Sequence, residues 1–151
     1  MRDNRMAKVL LNGQWQIAAT SFPMWLKAGV TAPSIEYKEK HQYYESSVQY
    51  FKHGKLKTIK GTESPDKTQE NHYTWKGVGW MRLLKSHWHV VEAGQDWIVI
   101  YFSKTLFTPK GMDLLVRDGC DLSLDEKSKI ADLIHQSRLL IPLAQDIVWI
   151  R

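Results

Sequence analysis

The chain has 151 residues, 43% of them hydrophobic and 25% charged, and a net charge of +5 from 21 Lys and Arg against 16 Asp and Glu. These values fit one globular domain and exclude a disordered or fibrous chain. A single cysteine, Cys120, excludes an internal disulfide and a C-x-x-C metal site, and the longest apolar run, residues 97–102, is too short to span a bilayer as a helix.

Seven Trp, six Tyr and four Phe are many large rings for this length, and they must line something. Residues 1–11 have a charged start and a brief apolar run, with no cysteine nearby for lipid attachment. The expectation is a cytoplasmic chain, or a secreted or cell-envelope one if the sequence is trimmed. Asn12-Gly13 signals a turn, and Gln14 to Thr20 reads as a first strand. Residues 21–30 hold Pro23 and Gly29 and form a loop, an unusually apolar one with Phe22, Met24, Trp25 and Leu26. Residues 33–40 alternate, residues 43–51 are rich in Tyr, Ser and Val, and His53-Gly54 marks a hairpin into a strand at 55–62. Polar residues 63–71, with Pro65, are a loop. His72 to Leu84 reads as one longer strand, bent at Gly77 and Gly79. Strands at 88–92, 97–103 and 112–117 complete an antiparallel meander, closed into a barrel or folded as a sandwich.

The strand at 97–103 is apolar on both faces, which an exposed wall would not be. It therefore belongs between the interior and a helix. That helix starts at Ser123, which forms a capping box with Glu126, and Leu124, Ile130, Leu133 and Ile134 share its apolar face. Pro142 ends any helix, and residues 146–150 are a last short strand.

Gly13-Gln14-Trp15 opening the first strand resembles the G-x-W motif of the lipocalins. Gln95-Asp96-Trp97, in a tight turn, resembles their T-D-Y motif with Gln and Trp in place of Thr and Tyr. Arg117 ends the eighth strand, where that family keeps an Arg. The tail from Leu139 to Ile150 is similar to that of small bacterial outer-membrane lipocalins and lipocalin-like proteins of Gram-positive bacteria. The resemblance implies an all-β fold: an up-and-down antiparallel eight-stranded lipocalin-like (calycin) β-barrel, one C-terminal α-helix packed outside, and a short final strand. One domain would span 1–151, with a lead-in at 1–11, barrel at 12–117, helix at 123–138 and last strand at 146–150. The resemblance also implies non-catalytic binding or transport of a small hydrophobic or amphiphilic ligand. Gly13, Trp15, Asp96 and Arg117 then have structural roles. Trp15 plugs the closed end, Arg117 stacks on its indole, and Asp96 pairs with Arg117 or caps the turn.

An up-and-down barrel alternates its loops between two ends. With Trp15 at the closed end, loops at 21–30, 51–56, 85–87 and 104–110 surround the mouth. They carry Lys27, Lys52, Lys55, Lys85, Lys104 and Lys110 and no Asp or Glu. Glu63, Asp66, Glu70, Asp96, Asp118 and Asp121 fall at the closed end. A cationic rim around an apolar cavity suits an amphiphile with an anionic head, such as a fatty acid or phospholipid-like molecule, or docking on an anionic membrane surface. Lysines on loops also deter aggregation. Alternation nominates Tyr37, Tyr44, Trp75, Trp80, Trp88 and Tyr101 as ligand-contacting rings, and the apolar mouth loop adds Phe22 and Trp25, with Trp25 as a lid.

No catalytic residue, metal or cofactor is expected, and the chain is expected to be a monomer or weak dimer. His87 and His89 share a strand face and His72 is within reach, but no third metal ligand is evident. Cys120 lies among Asp118 and Asp121, which disfavour a thiolate. One alternative is a lipocalin-fold enzyme acting on a small aromatic or lipid substrate. Its cue is Tyr43, Tyr44 and Glu45, although adjacent strand positions face opposite ways. Another is a basic-surface module for nucleic acid or an anionic membrane. Residues 38–60 hold six Lys interleaved with Tyr43, Tyr44, Tyr50 and Phe51. Nucleic acid is the less expected partner.

Overall fold

Eight antiparallel strands curl into a closed barrel in the computed structural model, which describes residues 6–151. They are β1 (Gly13–Thr20), β2 (Val30–Glu39), β3 (Tyr44–Lys52), β4 (Lys55–Pro65), β5 (His72–Gly77), β6 (Lys85–Ala93), β7 (Trp97–Phe102) and β8 (Gly111–Arg117). Each pairs with its neighbour in sequence, and β1 pairs with β8 to close the ring. One-residue register shifts in β1, β2 and β6 bend the strands where the wall must curve. A short helix, α1 (Pro23–Leu26), lies in the first loop. The long helix α2 (Leu124–Gln136) and a final strand, β9 (Val148–Trp149), follow the barrel. Among the described residues no helix is long and apolar enough to cross a membrane.

The expected fold holds, with several boundaries moved. The strand expected at 72–84 stops at Gly77, and the chain turns through a 3-10 segment, Gly79–Met81. The mouth loop expected at 85–87 is therefore residues 78–84, and β6 begins at Lys85. The strand expected to end at residue 62 runs on to Pro65, which carries Glu63 out of the expected closed-end loop and into the wall. Proline there was read as a loop signal, yet it is tolerated at a strand terminus.

The two-faced strand behaves as its composition requires. Ile98 and Ile100 of β7 point into the barrel, while Val99 joins the cluster under α2. Ile130 and Ile134 of α2 cover Val99, Met112, Leu114 and Val116 on the outside of β7 and β8. The Ser123–Glu126 capping box is formed in both directions. Leu124 does not join the apolar face. It lies in the first turn and is exposed.

The base is closed by side chains. The Trp15 indole N–H donates to the Leu11 carbonyl at 2.8 Å, and the Arg117 guanidinium lies 3.9 Å from the Trp15 ring centroid. The same guanidinium donates to the carbonyls of Asn12 and Leu10, each at 2.6 Å. Gly13, at φ +120°, leaves room for it, since a Cβ there would stand 2.9 Å from an Arg117 nitrogen. Asp96 meets Arg117 through its backbone: its carbonyl accepts the Arg117 amide N–H at 2.8 Å. Asn71, buried and at φ +64°, ties the lead-in down. Its amide accepts from Val9 N–H at 2.8 Å and donates to the Ala7 carbonyl at 2.9 Å. Asn71→Ala removes both bonds and leaves a strained alanine, so stability should fall by about 2–3 kcal/mol, read as a lower urea midpoint with an unchanged slope.

Candidate functional site

Above the Trp15 plug the inward positions of β2, β3, β5 and β6 bring four rings into a layer. Tyr73 and Trp88 stack with centroids 4.6 Å apart, Tyr37 stacks on Trp88 at 6.1 Å, and Tyr44 meets both tyrosines edge-on. All four are buried. This layer forms a floor. Above it opens a cavity of about 480 Å³, walled by Ile17, Ile35, Val48, Ile59, Trp75, Ile100 and Leu115. The volume is in the range that holds a drug-sized molecule.

The mouth is built from the loops. Trp25 of α1 turns inward, packs edge-on against Tyr50 at 5.3 Å and lines the cavity. Phe22 packs against Phe102 at 5.5 Å. Its ring occupies the space that a side chain at residue 111 would need, so Gly111 is what admits it. Leu83, Leu106 and Phe107 also line the opening, yet they are 87, 96 and 78% exposed. Lys85 lines the mouth beside them.

Two acids interrupt the apolar interior. Glu63 (2% exposed) and Asp113 (5% exposed) both line the cavity. Glu63 Oε1 accepts from the Trp88 indole N–H at 3.1 Å, while Glu63 Oε2 and Asp113 Oδ1 have no hydrogen-bond partner among the described residues. Burial pushes the Asp113 carboxyl up to about 7, with the Thr20 hydroxyl beside it opposing the shift. Burial likewise raises Glu63 well above the usual carboxylate range, against the pull of the Trp88 bond. Tyr37 is raised well above its ordinary value, first by burial and then by the nearby Glu63 and Asp113.

Of the eight nominated rings, Phe22, Trp25, Tyr37 and Trp75 line the cavity. Tyr44 and Trp88 point inward but belong to the floor. Trp80 and Tyr101 do not face the interior. Trp80 lies in the turn after Gly77 and is 88% exposed at the rim. Tyr101 follows the outward parity of Val99 and sits against His89, with centroids 5.7 Å apart. Lys27, Lys52, Lys55, Lys85, Lys104 and Lys110 are all exposed in or beside the four mouth loops, which now also include Arg82.

Sequence reasoning missed both acids. Asp113 was legible from parity, since it shares a face with Leu115 and Arg117. Glu63 was hidden because the expected strand stopped one residue before it, three short of its end at Pro65.

The other clusters disperse. His72 stacks on His89 at 4.4 Å and His87 meets the Thr74 hydroxyl at 2.9 Å, both away from the cavity. No group of three metal-ligating residues occurs among the described residues. Tyr44 points inward while Tyr43 and Glu45 are exposed, so they form no site. Tyr50 is likewise turned in against Trp25, which leaves Tyr43 and Phe51 as the exposed rings of the 38–60 segment.

No protein-family model matches the sequence, and no curated protein does. Solved structures do. Insecticyanin from the tobacco hornworm Manduca sexta is similar over 98% of this chain and 84% of its own, with a TM-score of 0.76 at 13% identity. Lobster apocrustacyanin A1 is similar over 92% of this chain and 76% of its own, with a TM-score of 0.69 at 12% identity. The siderocalin Ex-FABP covers 83% of this chain and 85% of its own, with a TM-score of 0.62 at 13% identity. The fold is the lipocalin barrel.

The raised acids have a consequence for stability. Asp113 holds its proton to about pH 7 when folded and to about pH 4 when unfolded. Between those values the folded state binds more protons, so stability falls as pH rises, by on the order of 4 kcal/mol across the window. Glu63 acts in the same sense, and His89, lowered by burial and by His72, in the opposite one. Urea midpoints at pH 5 and pH 8 should therefore drop less in Asp113→Asn than in the parent. Equal drops would contradict the assignment.

Proposed function

We propose that this protein reversibly binds a small, largely apolar or amphiphilic molecule in the barrel cavity, without chemistry, and exchanges it with an anionic lipid surface against which the mouth docks. The observation that carries this reading is the combination at one end of the molecule. A cavity of about 480 Å³ opens through a ring of exposed apolar side chains. The loops around it hold lysines, Arg82 and no acid. Insecticyanin, apocrustacyanin and a siderocalin that functions through dual ligand specificities share the fold, which supports the ligand-binding part.

Exposed Trp80, Leu83, Leu106 and Phe107 have no packing role that explains them. Apolar tips flanked by cations are what a lipid interface accepts: the rings enter the headgroup layer while each Lys contributes about 1 kcal/mol at an anionic surface. An anionic head on the ligand itself is the second use for the same lysines. Such a head would stay at the rim beside Lys85, because Glu63 and Asp113 exclude it from the interior. We favour the membrane surface.

Two measurements test the reading. N-phenyl-1-naphthylamine, a neutral apolar probe, should bind saturably with enhanced fluorescence, and Val48→Trp, which fills the cavity, should abolish that binding while the fold persists. Vesicles containing phosphatidylglycerol should co-sediment the protein and pure phosphatidylcholine vesicles should not. Lys104→Gln with Lys110→Gln should weaken vesicle binding roughly 30-fold at low salt, and Leu106→Ser with Phe107→Ser should weaken it at any salt. Equal retention of all variants would refute docking by the mouth.

A further inference from the structure

The interior of the cavity is apolar except where Glu63, Tyr37 and Asp113 reach into it. These residues come from β4, β2 and β8. In the closed strand order β4 and β8 stand four strands apart, on opposite sides of the barrel, and β2 lies two strands from each. One carboxyl oxygen on each side, Glu63 Oε2 and Asp113 Oδ1, is buried and without a hydrogen-bond partner among the described residues. Both residues are more than nine-tenths buried. An orphaned buried acceptor is costly wherever it stands, and here two of them border the same empty volume.

The chemistry of those oxygens restricts what satisfies them. A methyl group or ring at the inner end of a ligand would leave both orphaned. A carboxylate or phosphate would be repelled once either acid ionises. A single hydroxyl supplies one donor and cannot serve both walls. A primary ammonium supplies three donors and a guanidinium five, each with the charge that two carboxylates attract.

We propose that Glu63 and Asp113, with the Tyr37 hydroxyl between them, form a subsite for the inner end of the ligand, and that this end is a compact cation, a primary ammonium or guanidinium, on an apolar body. The proposal rests on the ligand-binding reading above and names the chemistry of the buried end of that ligand.

Proton balance follows from the same groups. The raised carboxyl pKa values mean that the empty cavity holds protons near neutral pH. A cation entering between them favours the ionised forms, so uptake releases protons to solvent and tightens as pH rises. The groups facing the pair are Thr20 of β1, Tyr37 of β2, Tyr44 of β3, Tyr73 and Trp75 of β5 and Trp88 of β6, with Lys85 at the mouth. An alkylammonium, like a lysine, stays charged throughout this range.

The test displaces bound N-phenyl-1-naphthylamine with decylamine, decanol and decanoate, which share one tail and differ in the head. At pH 8 decylamine should compete roughly tenfold or more better than decanol, with decanoate weakest. Its advantage should shrink at pH 5.5 in the unmodified chain, which needs no variant to fold. Glu63→Gln and Asp113→Asn should each cost decylamine about tenfold relative to decanol. Decanol or decanoate competing as well as decylamine would overturn the subsite while leaving the cavity reading intact. Failure of the probe and all three compounds to bind would overturn both.

Discussion

The stack of Arg117 on Trp15 holds the barrel shut. Its guanidinium ties together the end of β8, the start of β1, and the carbonyls of residues 10 and 12 in the lead-in. The cation–π contact contributes about 0.5–2 kcal/mol, and its two hydrogen bonds satisfy carbonyls that would otherwise face a ring. Because this end is filled, the four-ring layer can rest on it, and because that layer is packed, the space above is a pocket and not a channel. The cavity has one mouth for that reason. The end that the arginine occupies decides which loops form the mouth.

Much of this was legible in the residues. Trp15, Arg117 and the doubly apolar strand 97–103 set the direction and the helix-covered side of the barrel, because each is a residue type in a position that only one arrangement explains. Parity then assigned Tyr37 and Trp75 inward. It failed at Trp80, where a turn replaced the expected strand after Gly77, and at Tyr101, where the same two-faced strand sends alternate residues out to the helix. The acids were harder to see. A lone Asp in Met112-Asp113-Leu114-Leu115 reads as a solvent position until the strand's parity is fixed from Arg117. Glu63 sits beside Pro65, and proline is a stronger loop signal than a glutamate is a core signal.

The two charge patterns oppose each other along the barrel axis. Outside, the mouth is ringed by cations; inside, two carboxyls line an apolar enclosure. An anionic lipid surface attracts the first pattern, and it also concentrates amphiphilic cations, which suit the second. Under the proposed function, a basic rim and an acidic interior would serve a single transfer event: the rim would hold the protein where cations collect, and the interior would select them. Net charge conceals this, because +5 is the sum of both patterns.

The seam beside β1 sets how the wall yields. β1 pairs with β2 only through Gly13–Gln16, then leaves it and takes β9 at Ala19 and Thr20. The opening half of β2 has no partner on that side, and Pro33, which has no N–H to offer, stands within it. Toward the mouth, the closed barrel therefore carries no β1–β2 ladder bonds along this line. That stretch of wall is held by the apolar cluster of Ile17 and Trp25, with Phe22 and Val30 packed on it, and not by a ladder, so its hold responds to temperature and solvent as apolar contact does.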